Sequence, residues 1–175
     1  MTNYFIIPGI GNSGEEHWQT FFEKSLPNIQ RISQQDWETP NCIDWVETIE
    51  KVISNYDFST VVLIGHSLGC AAINHWANHY NKKIKGALLV APSDAEAPQY
   101  TFKTEGFKPI LLDRISFKTI VVASTNDYWL SLERAKLFAE SWGSELINIG
   151  NAGHINTASG YGKWEEGLKI LKKFE

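Results

Sequence analysis

The chain has 175 residues, of which 43% are hydrophobic, so it can bury one core around a central sheet, and we predict a single domain over residues 1–175. Its formal net charge of -4 argues against nucleic acid or an anionic membrane as the main partner. The sequence has no basic leader, and none of its apolar runs approaches the roughly 20 residues that a membrane span requires. We therefore expect a cytoplasmic protein, in which Cys42 and Cys70 are free, buried thiols.

The predicted elements alternate between short aliphatic runs and longer amphipathic ones, which is typical of a parallel sheet covered by helices on both faces. Strands are predicted at about 3–7, 28–32, 60–64, 86–90, 118–124 and 145–149. Helices are predicted at roughly 15–25, 42–55, 69–80, 131–142 and 163–173. The connection from Pro92 to Phe117 shows no periodicity and carries Tyr100, Phe102 and Phe107, which could cover an apolar site.

A serine stands in a glycine-flanked turn after the third predicted strand. The segment Gly65-His66-Ser67-Leu68-Gly69 has the form G-x-S-x-G and lies between a buried strand and a helical pattern, as this motif requires. A serine in so tight a turn has a strained backbone, and glycines two before and two after it leave room for the neighbouring chain. The pattern predicts a nucleophile at Ser67, with the N–H groups of the following helix available to a developing oxyanion.

Candidate partners for this serine follow two later strands. A serine hydroxyl needs a base to take its proton and an acid to orient that base. Asp127 follows the fifth predicted strand and His154 the sixth, at the sheet edge where catalytic groups of open α/β folds gather. The chain order Ser67, Asp127, His154 is that of the α/β-hydrolases. Asp94, after the fourth strand, is the rival acid, and Asp113 is a more distant one.

Several segments together resemble a known family, the small lidless α/β-hydrolases that include retinoblastoma-binding protein 9 and bacterial YdeN-type serine hydrolases. The resemblance runs through PGIGNSGEEHW, QQDWETPNCIDWV, LIGHSLGC, LLVAPSD, STNDYW and GNAGHINTASGYGKWEEG. It implies a three-layer α/β sandwich with a six-stranded, mainly parallel sheet in the order 2-1-3-4-5-6, helices on both faces and no cap domain. It also implies triad roles for Ser67, His154 and Asp127. Related sequences commonly have a proline after this aspartate, whereas Tyr128 stands here.

The glycines near the N-terminus fit an oxyanion loop. In an α/β-hydrolase, one oxyanion donor is the backbone N–H that follows the nucleophile, and a second lies in the loop after an earlier strand. We expect Leu68 to be the first donor and Ile10 the second, with Gly11 as the next candidate for the second. Glycines suit this loop because the backbone must approach an anionic oxygen closely.

The same glycines allow a dinucleotide-binding alternative. Gly9, Gly11 and Gly14 spell G-x-G-x-x-G, and Asp36 follows Gly14 by 22 positions, close to the ~20 expected of a ribose-binding acid. We expect Glu15 and Glu16 to open the first helix, where their charge would repel a pyrophosphate. We therefore favour the hydrolase interpretation.

The other histidines fit the role of base less well than His154. His66 adjoins the nucleophile and is expected to point away from it. His17 stands near the start of a helix, where it is either structural or part of the border of the pocket. Together with Asn12 and Trp129, His17 makes up the predicted substrate-binding set.

The sequence predicts a serine hydrolase that cleaves small carboxylic esters through an acyl-enzyme, in an open site because 93–117 is short for a cap. The expected partner is a small ester or amide substrate, with no nucleic acid or membrane, and no protein partner is indicated. No cofactor or metal is required; His75 and His79 have metal-pair spacing but lack a third ligand. The same triad could serve an amidase, aminopeptidase or thioesterase. A protein-interaction module with vestigial activity is the alternative from another class.

Overall fold

Six strands form the central sheet of the computed structural model, which describes all residues from 1 to 175. They are β1 (Asn3–Ile7), β2 (Ile29–Arg31), β3 (Val61–His66), β4 (Gly86–Val90), β5 (Thr119–Ala123) and β6 (Glu145–Asn148). Every pairing is parallel, and the spatial order is β2-β1-β3-β4-β5-β6, which confirms the predicted α/β-hydrolase topology. The carboxyl ends of all six strands therefore meet at one edge.

Five helices lie at the predicted places; four of them connect strands, and the fifth follows the last strand. They are α1 (Trp18–Ser25), α2 (Cys42–Ile53), α3 (Leu68–Tyr80), α4 (Leu132–Trp142) and α5 (Glu165–Leu171). Three short 3₁₀ turns, at Phe58–Thr60, Thr157–Ser159 and Lys172–Phe174, were not predicted. A single turn is too short to show a hydrophobic period.

The strands bury side chains on both faces of the sheet, and this produces two hydrophobic clusters. On one face Phe5 and Ile7 of β1 pack in a cluster with the tryptophans of α2, α3 and α4. On the other face Tyr4 and Ile6 pack in a cluster with residues of α1 and α5. This alternation follows from the two-residue period of a strand, and it confirms the predicted three layers.

The third strand extends two residues further than predicted and brings Ser67 to the sheet edge. β3 ends at His66 and α3 begins at Leu68, so Ser67 alone forms the turn between them. The structure thus places the serine at the carboxyl edge of a fully buried strand.

The long connection after β4 contains no helix or strand and adds no cap domain. Tyr100 and Phe107 are buried in the cluster beside α2 and α3, so the connection is anchored to the core at two points. Phe102 stays 43% exposed. None of the helices is both long and apolar enough to cross a membrane.

Both cysteines are free and buried, as predicted. Burial raises the pKa of the Cys42 thiol to about 12 and that of the Cys70 thiol well above its ordinary value. Because the thiolate is the reactive form, neither side chain is a nucleophile in the folded chain.

Candidate active site

The turn at Ser67 has the strained geometry that its motif predicts. Ser67 has φ 54° and ψ -124°, a combination that few non-glycine residues adopt. A Cβ on Gly69 would lie 2.1 Å from the carbonyl oxygen of Ile7, and one on Gly65 would lie 2.8 Å from Ile73. Gly69 is therefore required, because the backbone of β1 leaves no room for a side chain, whereas a side chain at Gly65 would force Ile73 and the backbone of α3 at Cys70 to move.

A continuous hydrogen-bond chain joins Ser67, His154 and Asp127. The Ser67 Oγ lies 2.9 Å from His154 Nε2. On the other side of the ring, His154 Nδ1 lies 3.0 and 2.8 Å from the two carboxylate oxygens of Asp127. The Asp127 side chain is only 1% exposed. The structure thus brings together the three residues that the sequence selected from three separate loops.

The loops after β5 and β6 hold one another in place. Asp127 Oδ1 accepts the N–H of Trp129 at 2.8 Å, which orients the carboxylate although Tyr128 stands where the resemblance implies a proline. Ser124 Oγ accepts the N–H of Ala152, and Asn126 Oδ1 accepts the N–H of Gly153. Side chains that precede Asp127 therefore fix the backbone that precedes His154.

The rival acid, Asp94, is engaged elsewhere. Its carboxylate accepts two hydrogen bonds from the Arg134 guanidinium, at 2.7 and 3.0 Å, and also the N–H of Glu96. This bidentate pair directs the Asp94 side chain to α4 rather than to His154. Asp127 is thus the carboxylate that contacts the histidine.

The loop after β1 approaches the serine closely at Gly9. A Cβ on Gly9 would lie 2.8 Å from the Cβ of Ser67, so only glycine fits there. The N–H of Ile10 has no protein acceptor, and Leu68 is the first residue of α3, whose N–H has no intrahelical acceptor. The N–H of Gly11 donates to the carbonyl of Trp37 at 2.9 Å. This bond removes Gly11 from the candidate oxyanion donors and leaves Ile10 and Leu68.

The expectation that Glu15 and Glu16 open the first helix is wrong. The helix begins at Trp18, because His17 Nδ1 accepts the N–H of Gln19 and caps it. Asp36 is not at a ribose site either, since its carboxylate accepts the N–H groups of Glu38 and Thr39, two and three residues later, and so caps its own turn. The glycine pattern thus belongs to a loop that packs against Ser67.

Two more histidines lie beside His154. His66, which was expected to point away from the site, instead has its ring centroid 5.0 Å from that of His154, and its Nε2 donates to the His154 carbonyl at 2.9 Å. His17 packs on His66 with 4.7 Å between ring centroids. Burial lowers the pKa of His66 well below its ordinary value, and the charges of His154 and His17 add to this effect. His66 is therefore a neutral donor that fixes the backbone of His154.

These groups face a small cavity of about 220 Å³. Its walls are Gly9, Ile10, Asn12, His17, His66, Ser67, Ser93, Phe102, Trp129, His154 and Asn156. All three predicted substrate-binding residues are among them, although Asn12 Oδ1 already accepts the N–H of Ser13 and a guanidinium N–H of Arg31. The Phe102 and Trp129 rings lie 4.9 Å apart and form the apolar side.

Besides His66, sequence reasoning missed four residues of this cavity: Gly9, Ser93, Phe102 and Asn156. Gly9 was predicted only as one of the glycines of the N-terminal loop. Phe102 was expected to cover an apolar site, but it was not assigned to this cavity. Ser93 carried a usable signal, because it follows β4 at the same sheet edge as the other site residues. Asn156 lies two residues after His154 and had no pattern to mark it.

The buried His17 predicts a stability loss in mild acid. Burial, then the charges of Arg31 and His154, lowers its pKa to about 4. An unfolded histidine titrates near 6.5, so the unfolded chain binds the extra proton first, and stability falls as the pH drops from about 6.5 to about 4. The loss of stability caused by His17 amounts to about 3 kcal/mol at pH 4, and it levels off at lower pH.

The variant His17→Asn isolates this contribution, since an asparagine oxygen can still cap α1 but does not titrate. We expect urea unfolding between pH 7 and 4 to show a smaller stability loss for the variant than for the wild type. His66 titrates in the same direction in both proteins, and without the charge of His17 its pKa is lowered less, which makes the stability loss of the variant smaller still. Parallel curves over this range would contradict the prediction.

Comparison with known proteins identifies the family of the chain. The sequence model of the serine hydrolase family matches residues 4–173. The crystal structure of a YdeN-like hydrolase from Pectobacterium atrosepticum superposes with a TM-score of 0.88 at 36% identity, over 99% of this chain and 90% of that chain. The ydeN gene product from Bacillus subtilis superposes with a TM-score of 0.85 at 21% identity, over 99% and 98% of the two chains.

The sequence of the hydrolase YdeN of Bacillus subtilis strain 168 is 24% identical over 167 residues, which cover 90% of this chain and 87% of that protein. These matches confirm the resemblance to the bacterial YdeN-type hydrolases, whereas the likeness to retinoblastoma-binding protein 9 stays a prediction. With the family model spanning nearly the whole chain, the protein belongs to the serine hydrolase family.

Proposed function

We propose that the protein hydrolyses small carboxylic esters through an acyl-enzyme formed on Ser67. In this mechanism His154 Nε2 takes the Ser67 proton as the oxygen attacks the ester carbonyl, and returns it to the leaving alcohol. Water then attacks the acyl carbon while His154 takes one of its protons. The acyl–Oγ bond breaks as His154 returns that proton to Ser67 Oγ, and the acid is released. Asp127 holds the ring with its Nδ1–H toward the carboxylate and stabilises the imidazolium.

The observation that carries this proposal is the hydrogen-bond chain that ends at the cavity. Ser67 Oγ and His154 Nε2 are 2.9 Å apart, within the range for direct proton transfer. The strained turn supports the same role, because strain held by the surrounding structure is common at active sites.

The two free N–H groups of Ile10 and Leu68 would hold the oxyanion. Such donors act where charge develops, and loss of one typically costs about 2.7–4 kcal/mol in the transition state. Gly9 supports this role because its missing side chain lets the Ile10 loop approach the serine.

The size of the cavity favours small acyl groups. Its volume of about 220 Å³ lies below the roughly 300 Å³ at which pockets for drug-sized ligands begin. Phe102 and Trp129 would contact the apolar part of the acyl group, and no cap domain covers the entrance.

The test of this proposal is intact mass spectrometry after exposure to a fluorophosphonate probe. We expect one adduct per wild-type chain and none on Ser67→Ala, because the probe reacts with activated serines. A second step measures the turnover of p-nitrophenyl esters whose acyl chains have two to twelve carbons. It compares these rates with the turnover of an amide and a thioester that carry one of the same acyl groups. Turnover restricted to long-chain esters, or to the amide or thioester, would contradict the small-ester assignment.

The probe also separates the enzyme from a binding module. A protein that acts only as an interaction module has no need of an activated serine, so folded wild type without an adduct would overturn the proposed mechanism.

A further inference from the structure

A second serine hydroxyl contacts the nucleophile. Ser93 Oγ lies 2.7 Å from Ser67 Oγ, and Ser93 is only 5% exposed and lines the same cavity. Ser93 has no other side-chain hydrogen bond. Its hydroxyl therefore hydrogen-bonds to Ser67 Oγ alone, which is the nucleophilic oxygen of the proposed mechanism.

Backbone hydrogen bonds hold the segments of Ser67 and Ser93 together. The Ser67 N–H donates to the carbonyl of Val90 at 3.1 Å, and the Ser93 N–H donates to the carbonyl of Ser67 at 3.3 Å. These two bonds join the turn after β3 to the segment after β4. The backbones of the two serines are thus held beside one another, which brings their hydroxyls within reach.

The direction of each hydrogen bond in the chain follows from the carboxylate. An ionised Asp127 only accepts, so His154 Nδ1 carries the proton that faces it, and Nε2 of the neutral ring is bare. The single Ser67 proton must then point to Nε2. It follows that in the Oγ pair Ser93 is the donor and Ser67 the acceptor.

We propose that Ser93 is a positioning residue that orients the Ser67 hydroxyl for proton transfer to His154. Its donated bond occupies one lone pair of Ser67 Oγ and keeps the Ser67 proton in line with His154 Nε2. No bond to Ser93 forms or breaks: the Ser67 proton goes to His154, the Ser67 oxygen bonds the acyl carbon, and Ser93 keeps its own proton. The inference rests on the proposed serine hydrolase mechanism.

The experiment measures the second-order rate of fluorophosphonate labelling, and kcat and KM for p-nitrophenyl acetate, in Ser93→Ala, Ser93→Thr and wild type. Loss of one neutral hydrogen bond should lower the labelling rate and kcat about 5- to 10-fold in Ser93→Ala, with KM little changed. Ser93→Thr keeps the hydroxyl and should recover most of the rate. A purely structural role would lower the melting temperature without moving these rates.

The matched control is Ser144→Ala, which breaks another hydroxyl pair, the partly buried one of Ser144 and Thr119. Thr119 begins β5 at the opposite edge of the sheet, so this variant should keep wild-type rates. If Ser93→Ala does not fold, Ser93→Cys carries the test, because a thiol of similar shape is a weak donor and should give the same fall.

A fall of less than about threefold in the folded variant would overturn the inference while leaving the proposed function intact. Wild type that takes no adduct would overturn both.

Discussion

Replacement of Asp127 with asparagine is expected to lower kcat/KM about 10⁴-fold with the fold intact. In the variant, Oδ1 still accepts the Trp129 N–H, so the new NH₂ group takes the position of Oδ2 and faces His154 Nδ1. The imidazole must then accept at Nδ1 and carry its proton on Nε2, where it can no longer receive the proton of Ser67. The measurement is kcat/KM for p-nitrophenyl acetate, together with the melting temperature.

The control for this prediction is Asp94→Asn. Asp94 pairs with Arg134 and has no contact with His154, so the variant should lose stability but keep kcat/KM within about threefold of wild type. Near-normal turnover of Asp127→Asn beside an inactive Asp94→Asn would show that the acid is wrongly assigned.

Replacement of Gly69 with alanine is expected to destabilise the fold by about 4 kcal/mol. The added methyl would lie 2.1 Å from the Ile7 carbonyl oxygen and 2.7 Å from that of Pro8, both in the backbone. Neither atom can rotate away, so α3 must shift relative to β1, and the turn at Ser67 shifts with it. Urea unfolding gives the stability change, and probe labelling reports the distorted turn.

The matched variant is Gly14→Ala. A Cβ there meets no atom within 4 Å, and the residue does not have a positive φ. Its stability should stay within about 0.5 kcal/mol of wild type, although Gly14 belongs to the G-x-G-x-x-G pattern. If Gly69→Ala and Gly14→Ala lose equal stability, the close approach of the Ile7 and Pro8 carbonyl groups is not the reason that position 69 needs a glycine.

Local patterns predicted the elements well because each depends on neighbours in the chain. The six strands and five helices follow from runs of apolar residues and their periods, with ends that differ by a few residues. The start of α1 was misplaced because the cap is a histidine, which is not among the preferred capping residues that mark a helix start in sequence.

The candidate triad was predictable for a similar reason. Ser67, Asp127 and His154 each follow a strand, and parallel strands bring their carboxyl ends to one edge. Asp94 satisfies the same rule, so the rule alone could not choose between the acids. The choice depends on Arg134, 40 residues further along the chain, which engages the Asp94 carboxylate.

The sequence by itself thus determined the α/β-hydrolase architecture, the candidate nucleophile and base, and the two rival acids, because periodicity, a tight strand-to-helix turn and a position after a strand are local properties. Only the tertiary structure decided that Gly11 donates to Trp37, that His66 holds the His154 carbonyl and that the Ser93 and Ser67 hydroxyls are hydrogen-bonded to one another. These contacts join loops that are distant in the chain. Their hydrogen bonds depend on distances of a few tenths of an ångström, which packing sets and which no local pattern records.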